Sequence, residues 1–233
     1  MLVCFWSPKG GSGTSVTAAA AALVLAREGP VRIADVAGDM PAVLGLATDA
    51  EQGLRDWLRA GPEAPTDARD RLASEVIAGL TLLPAGNCDI SSAPPEAGAA
   101  LAVALRADPR PTIVDAGVLG PQPANALHAL VEVADAHVIV VRGCYLALRR
   151  AVHIDLTARA TGAVFVDEAG RSLGVRDVTN VLGVPVLATV SLRASTARAV
   201  DAGVLPTRLP DSLARPAREL LARIGCIGRE EAA

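Results

Sequence analysis

One feature near the start of the chain constrains its fold more than any other. A short apolar run, Leu2–Trp6, leads directly into Lys9-Gly10-Gly11-Ser12-Gly13-Thr14-Ser15, and a helical pattern follows over Thr14–Glu28. Strand, glycine-rich turn and helix in that order make the context a phosphate loop needs. The glycines let backbone N–H groups turn inward, and the helix N-terminus adds the positive end of its dipole. Lys9 is the only lysine among 22 basic residues, the rest being arginine. A lone lysine would fall in a seven-residue window by chance in only about 3% of cases. An ammonium on a slim stem fits a tight glycine cradle where a planar guanidinium does not. Lys9 is therefore expected to be functional.

The rest of the chain alternates short apolar β-runs with helical patterns. Strands are expected at Val31–Asp35, Leu80–Pro84, Thr112–Asp115, Ala136–Val141, Ala163–Val166 and Pro185–Val190. Helices are expected at Gln52–Ala60, Thr66–Ala73, Pro95–Ala107, Pro123–Ala134, Tyr145–Ala160, Val175–Leu182, Arg193–Ala202 and Asp211–Ile224. Strands apolar on both faces and joined by helices imply an α/β fold, a mostly parallel central sheet with helices on both faces. No boundary divides residues 1–233, which read as a single domain with an aliphatic core, because aromatics are only 2%. The last helix carries Leu213, Ala217, Leu220, Leu221 and Ile224 on one face, a docking face rather than a membrane anchor.

Composition narrows the function. A net charge of −3 leaves no whole-surface footprint for nucleic acid. Arg142, Arg149 and Arg150 read as a solvated helix face, and a nucleic-acid role has no support beyond such local patches. Cys4, Cys88, Cys144 and Cys226 are widely spaced, without metal-ligand spacing, and read as free thiols. The first residues have neither the charged nor the apolar region of a signal peptide. No apolar run reaches the roughly 18 residues of a transmembrane helix. A cytoplasmic location is expected. His128, His137 and His153 are scattered and read as structural or surface residues.

As an ordinary phosphate loop, G-x-x-x-x-G-K-[ST], the motif fails twice: Pro8 replaces the first glycine and Thr14 replaces the lysine. Gly13 and Ser15 fit. The run instead resembles the deviant Walker A motif of the ParA/MinD ATPase family, K-G-G-x-G-K-[ST], with Lys9 at the place of the family's signature lysine. Asp35 resembles the family's switch-I aspartate, and Asp115, ending Thr-Ile-Val-Asp, resembles its Walker B aspartate. The segment Gly79–Gly86 is also similar. The resemblance implies a P-loop NTPase fold and ATP with Mg²⁺ as ligands. It implies a cradle made by Lys9, Gly10, Gly11, Ser12, Gly13, Thr14, Ser15 and Asp115, with Ser15 and Asp115 on the metal side and Lys9 and Asp35 in the chemistry. It also implies a homodimer in which Lys9 reaches the partner's phosphates, and a protein partner in an assembly or positioning system.

Departures from the pattern bear on turnover. Thr14 carries no charge for the β- and γ-phosphates. Ala37 stands where the family has an aspartate that orients water, and Asp39 comes two positions late. Asp167 stands where a base-contacting asparagine is usual. Losing one such group typically costs about 10²–10³ in rate, so hydrolysis is expected to be weak or absent. Loss of the loop lysine resembles the CpaE/TadZ-like branch, which acts in pilus assembly, as does the stretch Asp35–Leu46 followed by Gly53-Leu-Arg-Asp-Trp-Leu. The receiver-like domain often found in that branch is absent from this sequence. A pseudo-ATPase scaffold is the alternative. A third reading is a Rossmann oxidoreductase using NAD(P), with Gly11-Ser-Gly13 and Asp35 about 20 residues on, although Val16 occupies its third glycine position.

Overall fold

The computed structural model describes residues 1–63, 71–122 and 125–228. Its strands are β1 (Leu2–Ser7), β2 (Val31–Asp35), β3 (Ser74–Ile77), β4 (Leu80–Leu83), β5 (Thr112–Val118), β6 (Ala136–Arg142), β7 (Gly162–Asp167) and β8 (Val186–Ser191). They form one sheet in the order β3-β4-β2-β5-β1-β6-β7-β8. All neighbours run parallel except the β3–β4 hairpin at one edge.

Alternation along β1 shows how the sheet is covered on both faces. Leu2, Cys4 and Trp6 enter one apolar cluster, and Val3 and Phe5 enter the other. The first cluster packs against α3 (Leu54–Ala60), α4 (Pro95–Arg106), α5 (Ala126–Glu132), α6 (Tyr145–Ala151) and α7 (Val175–Leu182). The second packs against α1 (Thr14–Leu25), α2 (Met40–Val43), α8 (Ala194–Asp201) and α9 (Asp211–Arg223). Helix α1 is apolar all round, as a helix buried on every side must be. Its Ala18–Leu25 run is buried between the sheet and α9. The docking face of α9, with Leu213, Ala217, Leu220 and Leu221 buried, is thus used inside the fold. No described helix is long and apolar enough to cross a membrane.

Most expected elements appear within a few residues, and Val31–Asp35 and Val175–Leu182 coincide with β2 and α7. Two of the differences have clear physical causes. Strand β3 is absent from the sequence reading because Ser74-Glu75-Val76-Ile77 is a short, half-exposed edge strand without a buried alternation. The helix expected over Tyr145–Ala160 stops at Ala151, where the Thr157 hydroxyl donates to the Ala151 carbonyl at 2.7 Å. A 3₁₀ turn at Thr157–Arg159 follows. The short helix α2 is also additional. The helix expected at Thr66–Ala73 lies mostly outside the described residues, as do the first two residues of the one expected from Pro123.

The sheet order bears on the dinucleotide reading. In the order 3-2-1-4-5-6 the second strand lies beside the first. Here β5 intervenes between β1 and β2. The chain leaves β1 for one half of the sheet and leaves β5 for the other, which puts a topological switch point at the C-terminal ends of these strands. Ligands bind at such points in open α/β sheets.

Candidate functional site

The loop after β1 is shaped by two glycines in the left-handed region, Gly11 (φ 73°) and Gly13 (φ 88°). A side chain at either φ would be strained, although neither lacks room for a Cβ. Hydroxyls fasten the loop from beneath. Ser7 and Ser12 both donate to the Lys9 carbonyl, at 3.1 and 2.7 Å. Arg142, at the end of β6, donates from Nη1 to the Gly11 carbonyl at 3.0 Å and is held by Glu168 at 2.7 Å. Gly13 is the N-cap of α1, whose first turn begins with Thr14, Ser15 and Val16. The first amides of a helix have no partner within it and form a natural anion site.

These residues line a cleft of about 750 Å³. Gly10 to Val16 form one wall, Ala116–Val118 the floor, and Val36, Ala37, Asp39 and Arg55 the opposite wall. Lys9 does not line this cleft in its own chain. Its Nζ donates to the Gly10 carbonyl at 3.2 Å in an exposed position. Thr14 is 7% exposed and faces the cleft without charge.

Behind the loop, two carboxylates stand side by side. Asp35 and Asp115 are register partners on β2 and β5, both fully buried. Asp35 accepts from the Gly38 amide at 2.7 Å and the Met40 amide at 3.1 Å, fastening the turn that carries Ala37 and Asp39. Burial raises its pKa above the ordinary carboxylate value, against those two amide bonds. Asp115 accepts from the Gly117 amide through Oδ1 at 3.1 Å, and Oδ2 is buried without a hydrogen-bond partner. Burial, reinforced by the Asp35 carboxylate, pushes its pKa from 3.8 up to about 7, while the neighbouring Ser15 hydroxyl and the Gly117 amide oppose the shift.

An orphaned carboxylate oxygen is costly unless something answers it. A hydrated Mg²⁺ beside Ser15 would do so, because Mg²⁺ keeps several waters and takes only one or two protein oxygens. The donor set thus fits Mg²⁺ held jointly with phosphates. Among the described residues no cluster of three His, Cys, Asp or Glu could hold a metal by protein ligands alone.

Sequence reasoning locates the loop and both aspartates but misses two cations. Arg142 groups in sequence with Arg149 and Arg150; the latter two are exposed on α6, whereas Arg142 is half-buried and braces the loop. Arg55, from α3, reaches the Val36 carbonyl (2.9 Å) and the Ala37 carbonyl. No periodicity marks either role. The expected structural part holds for two histidines. His137 accepts from Trp6 Nε1 at 3.2 Å, and His128 stands 3.0 Å from both Asn125 Oδ1 and the Gly120 carbonyl. All four cysteines are free. Asp167, at the exposed end of β7, does not line the cleft.

A larger groove of about 1270 Å³ runs beside β8 and α9, lined by Arg193, Arg215, Arg218 and Arg223 among others. It has no glycine cradle and no buried carboxylate, so the smaller cleft is the stronger candidate.

No protein-family model matches the chain, and no curated protein matches it in sequence. Solved structures do resemble it. A ParA family ATPase from Chlorobium tepidum is 19% identical, with a TM-score of 0.74 over 96% of this chain and 97% of that one. The septum site-determining protein MinD from Pyrococcus horikoshii, complexed with Mg-ADP, is 18% identical, with a TM-score of 0.75 over 96% and 95%. A Cyanothece McdA variant in complex with ATP is 14% identical, with a TM-score of 0.73 over 99% and 98%. At these identities the likeness establishes the fold: a mostly parallel eight-stranded sheet wrapped by helices, as in the MinD/ParA P-loop NTPases.

Proposed function

We propose that this protein is a ParA/MinD-type switch that binds Mg-ATP in the cleft beside Gly10–Ser15 and dimerises with nucleotide between the subunits. The observation that carries this reading is the buried, unpartnered Asp115 Oδ2 next to Ser15 and a glycine loop opening a helix. Backbone amides of the loop and the first turn of α1 receive phosphate oxygens. Ser15 and Asp115 hold the metal side. Mg²⁺ held there would supply the positive charge that favours the ionised form of Asp115. Asp35 acts by holding the turn that bears Asp39 against the cleft.

The Lys9 Nζ sits in an exposed position outside its own cleft, from which it can reach a second copy's phosphates. Thr14 and Ala37 lack the groups that promote phosphoryl transfer, so hydrolysis is weak or absent. The output is then dimerisation and localisation of an assembly in the cytoplasm, such as pilus or secretion machinery in the manner of the CpaE/TadZ-like branch, or division or partition complexes. The two buried carboxylates behind the loop, Asp35 and Asp115, make a nucleotide-free scaffold the weaker alternative.

Sedimentation of the protein with Mg-ATP, Mg-ADP and NAD tests the reading. Mg-ATP should double the mass, and Lys9→Ala should abolish doubling while leaving ATP binding intact. ATP binding without a change in mass supports the scaffold reading. Binding of NAD but not ATP would overturn both.

A further inference from the structure

The cleft has an electrostatic peculiarity. Its described lining includes the carboxylates of Asp39 and Asp201, with buried Asp115 and Asp35 beneath, and a single cationic side chain, Arg55. A cleft built for a polyphosphate but lined by acids needs a fixed positive charge, and Thr14 supplies none. We propose that Arg55 is the phosphate-binding cation of this site, placed on α3 instead of in the loop. This rests on the nucleotide-binding reading above.

The placement of Arg55 is defined by backbone and side chain together. Helix α3 is pinned to the end of β4: the Leu54 and Arg55 amides donate to the Pro84 and Ala85 carbonyls at 2.8 and 2.9 Å. Gly53 makes that approach feasible, since a Cβ there would lie 2.2 Å from the Pro84 carbonyl oxygen. The Asp56 carboxylate closes the turn by accepting from the Gly53 amide at 2.9 Å. From this base the guanidinium crosses the 36–38 turn, donating through Nε and Nη2 to the Val36 and Ala37 carbonyls. Gly38, at φ 97°, leaves room for it; a Cβ there would come within 3.2 Å of Nη2.

A guanidinium has five N–H donors. Two are used in the protein, and the remaining three have no partner among the described residues. The fork is thus held by one edge and presents the other to the cleft, an arrangement suited to phosphate oxygens. Arg142, which braces the loop, contacts Gly11 and Glu168 and does not line the cleft. The same contacts tie Arg55 to the turn bearing Ala37 and Asp39, so a phosphate gripped by Arg55 also fixes that turn.

Fluorescent-nucleotide titration of wild type, Arg55→Ala, Arg55→Lys, Thr14→Lys and the Arg55→Ala/Thr14→Lys double variant tests this. Arg55→Ala should weaken Mg-ATP about tenfold or more, the size of one charge-assisted contact, and weaken AMP much less. Arg55→Lys should recover part of the loss. Thr14→Lys, which restores a charge in the loop, should cut the Arg55→Ala penalty by at least half. Thermal melts of each variant show whether the fold is intact, and Arg55→Lys reads the same question if Arg55→Ala does not fold. A wild type that binds ATP while Arg55→Ala binds it equally well overturns the role of Arg55 and leaves the site standing. A loss that is equal for ATP and AMP and unchanged by Thr14→Lys overturns that role too, since it marks support of the turn only. A wild type that binds no nucleotide overturns both the role of Arg55 and the nucleotide-binding reading.

Discussion

Strands β2 and β5 lie side by side, and their two ends treat buried charge in opposite ways. At the N-terminal end, Arg32 is 1% exposed yet both hydrogen-bonded and ion-paired. It donates to the Thr112 hydroxyl (3.3 and 3.1 Å) and the Leu105 carbonyl (2.6 Å) and pairs with Asp108 at 3.0 Å. Asp108 is further gripped by the Arg110 side chain, which above all holds its pKa well below the usual carboxylate range. Three residues further along the same strands, Asp35 and Asp115 stand together without a cation in contact, with raised pKa values and an orphaned oxygen. One end is closed and contributes stability. The other end is left electrostatically incomplete, which is what a site awaiting a cation and an anion requires.

Substitutions at the two ends should therefore separate. The largest effect belongs to Asp108→Ala, which leaves the Arg32 charge buried without its carboxylate. It should cost about 3 kcal/mol in denaturant unfolding and leave nucleotide affinity within about twofold. Gly13→Ala should cost about 1–2 kcal/mol from strain at a positive φ, and calorimetry should show Mg-ATP affinity reduced by tenfold or more. Loss of stability without loss of affinity at Gly13 would break the contrast.

Asp115→Asn has the opposite sign and sharpens it. A carboxylate whose folded pKa lies above its unfolded value favours folding when protonated. Its stabilising contribution is complete below about pH 4 and is lost as pH rises to about 7. Without Mg²⁺ or nucleotide, Asp115→Asn should therefore raise unfolding stability at pH 8, the gain shrinking towards zero at pH 4. Thermal melts across this range check it. The smallest effect is expected from Arg142→Ala: about 0.5 kcal/mol in stability and a few-fold loss of ATP affinity, because it removes a brace of the loop and not a wall of the cleft.

The sequence carries the sheet's architecture because buried parallel strands announce themselves as apolar runs, as at Val31–Asp35, and the covering helices follow in alternation. It misses β3, whose half-exposed residues carry no such pattern, and it overextends α6 because the capture of the Ala151 carbonyl by the Thr157 hydroxyl, six residues on, leaves no mark in the apolar pattern. The glycine loop, Asp35 and Asp115 are legible because local backbone chemistry demands their residue types. Arg55 and Arg142 are not: each acts on a loop distant in sequence, over 18–19 positions for Arg55 and 131 for Arg142. The closure around Arg32 is equally hidden, being built from residues 32, 105, 108 and 112.

The most direct test of the central claim, that the C-terminal end of this sheet is an unfinished Mg-nucleotide site, is isothermal calorimetry of ATP binding with Mg²⁺ and with EDTA. At pH 7, in buffers of different ionisation enthalpy, Mg²⁺ should strengthen ATP binding, with proton release as Asp115 ionises. Both effects should vanish in Asp115→Asn. ATP binding that is indifferent to Mg²⁺ and to Asp115, or no binding at millimolar ATP, would contradict it.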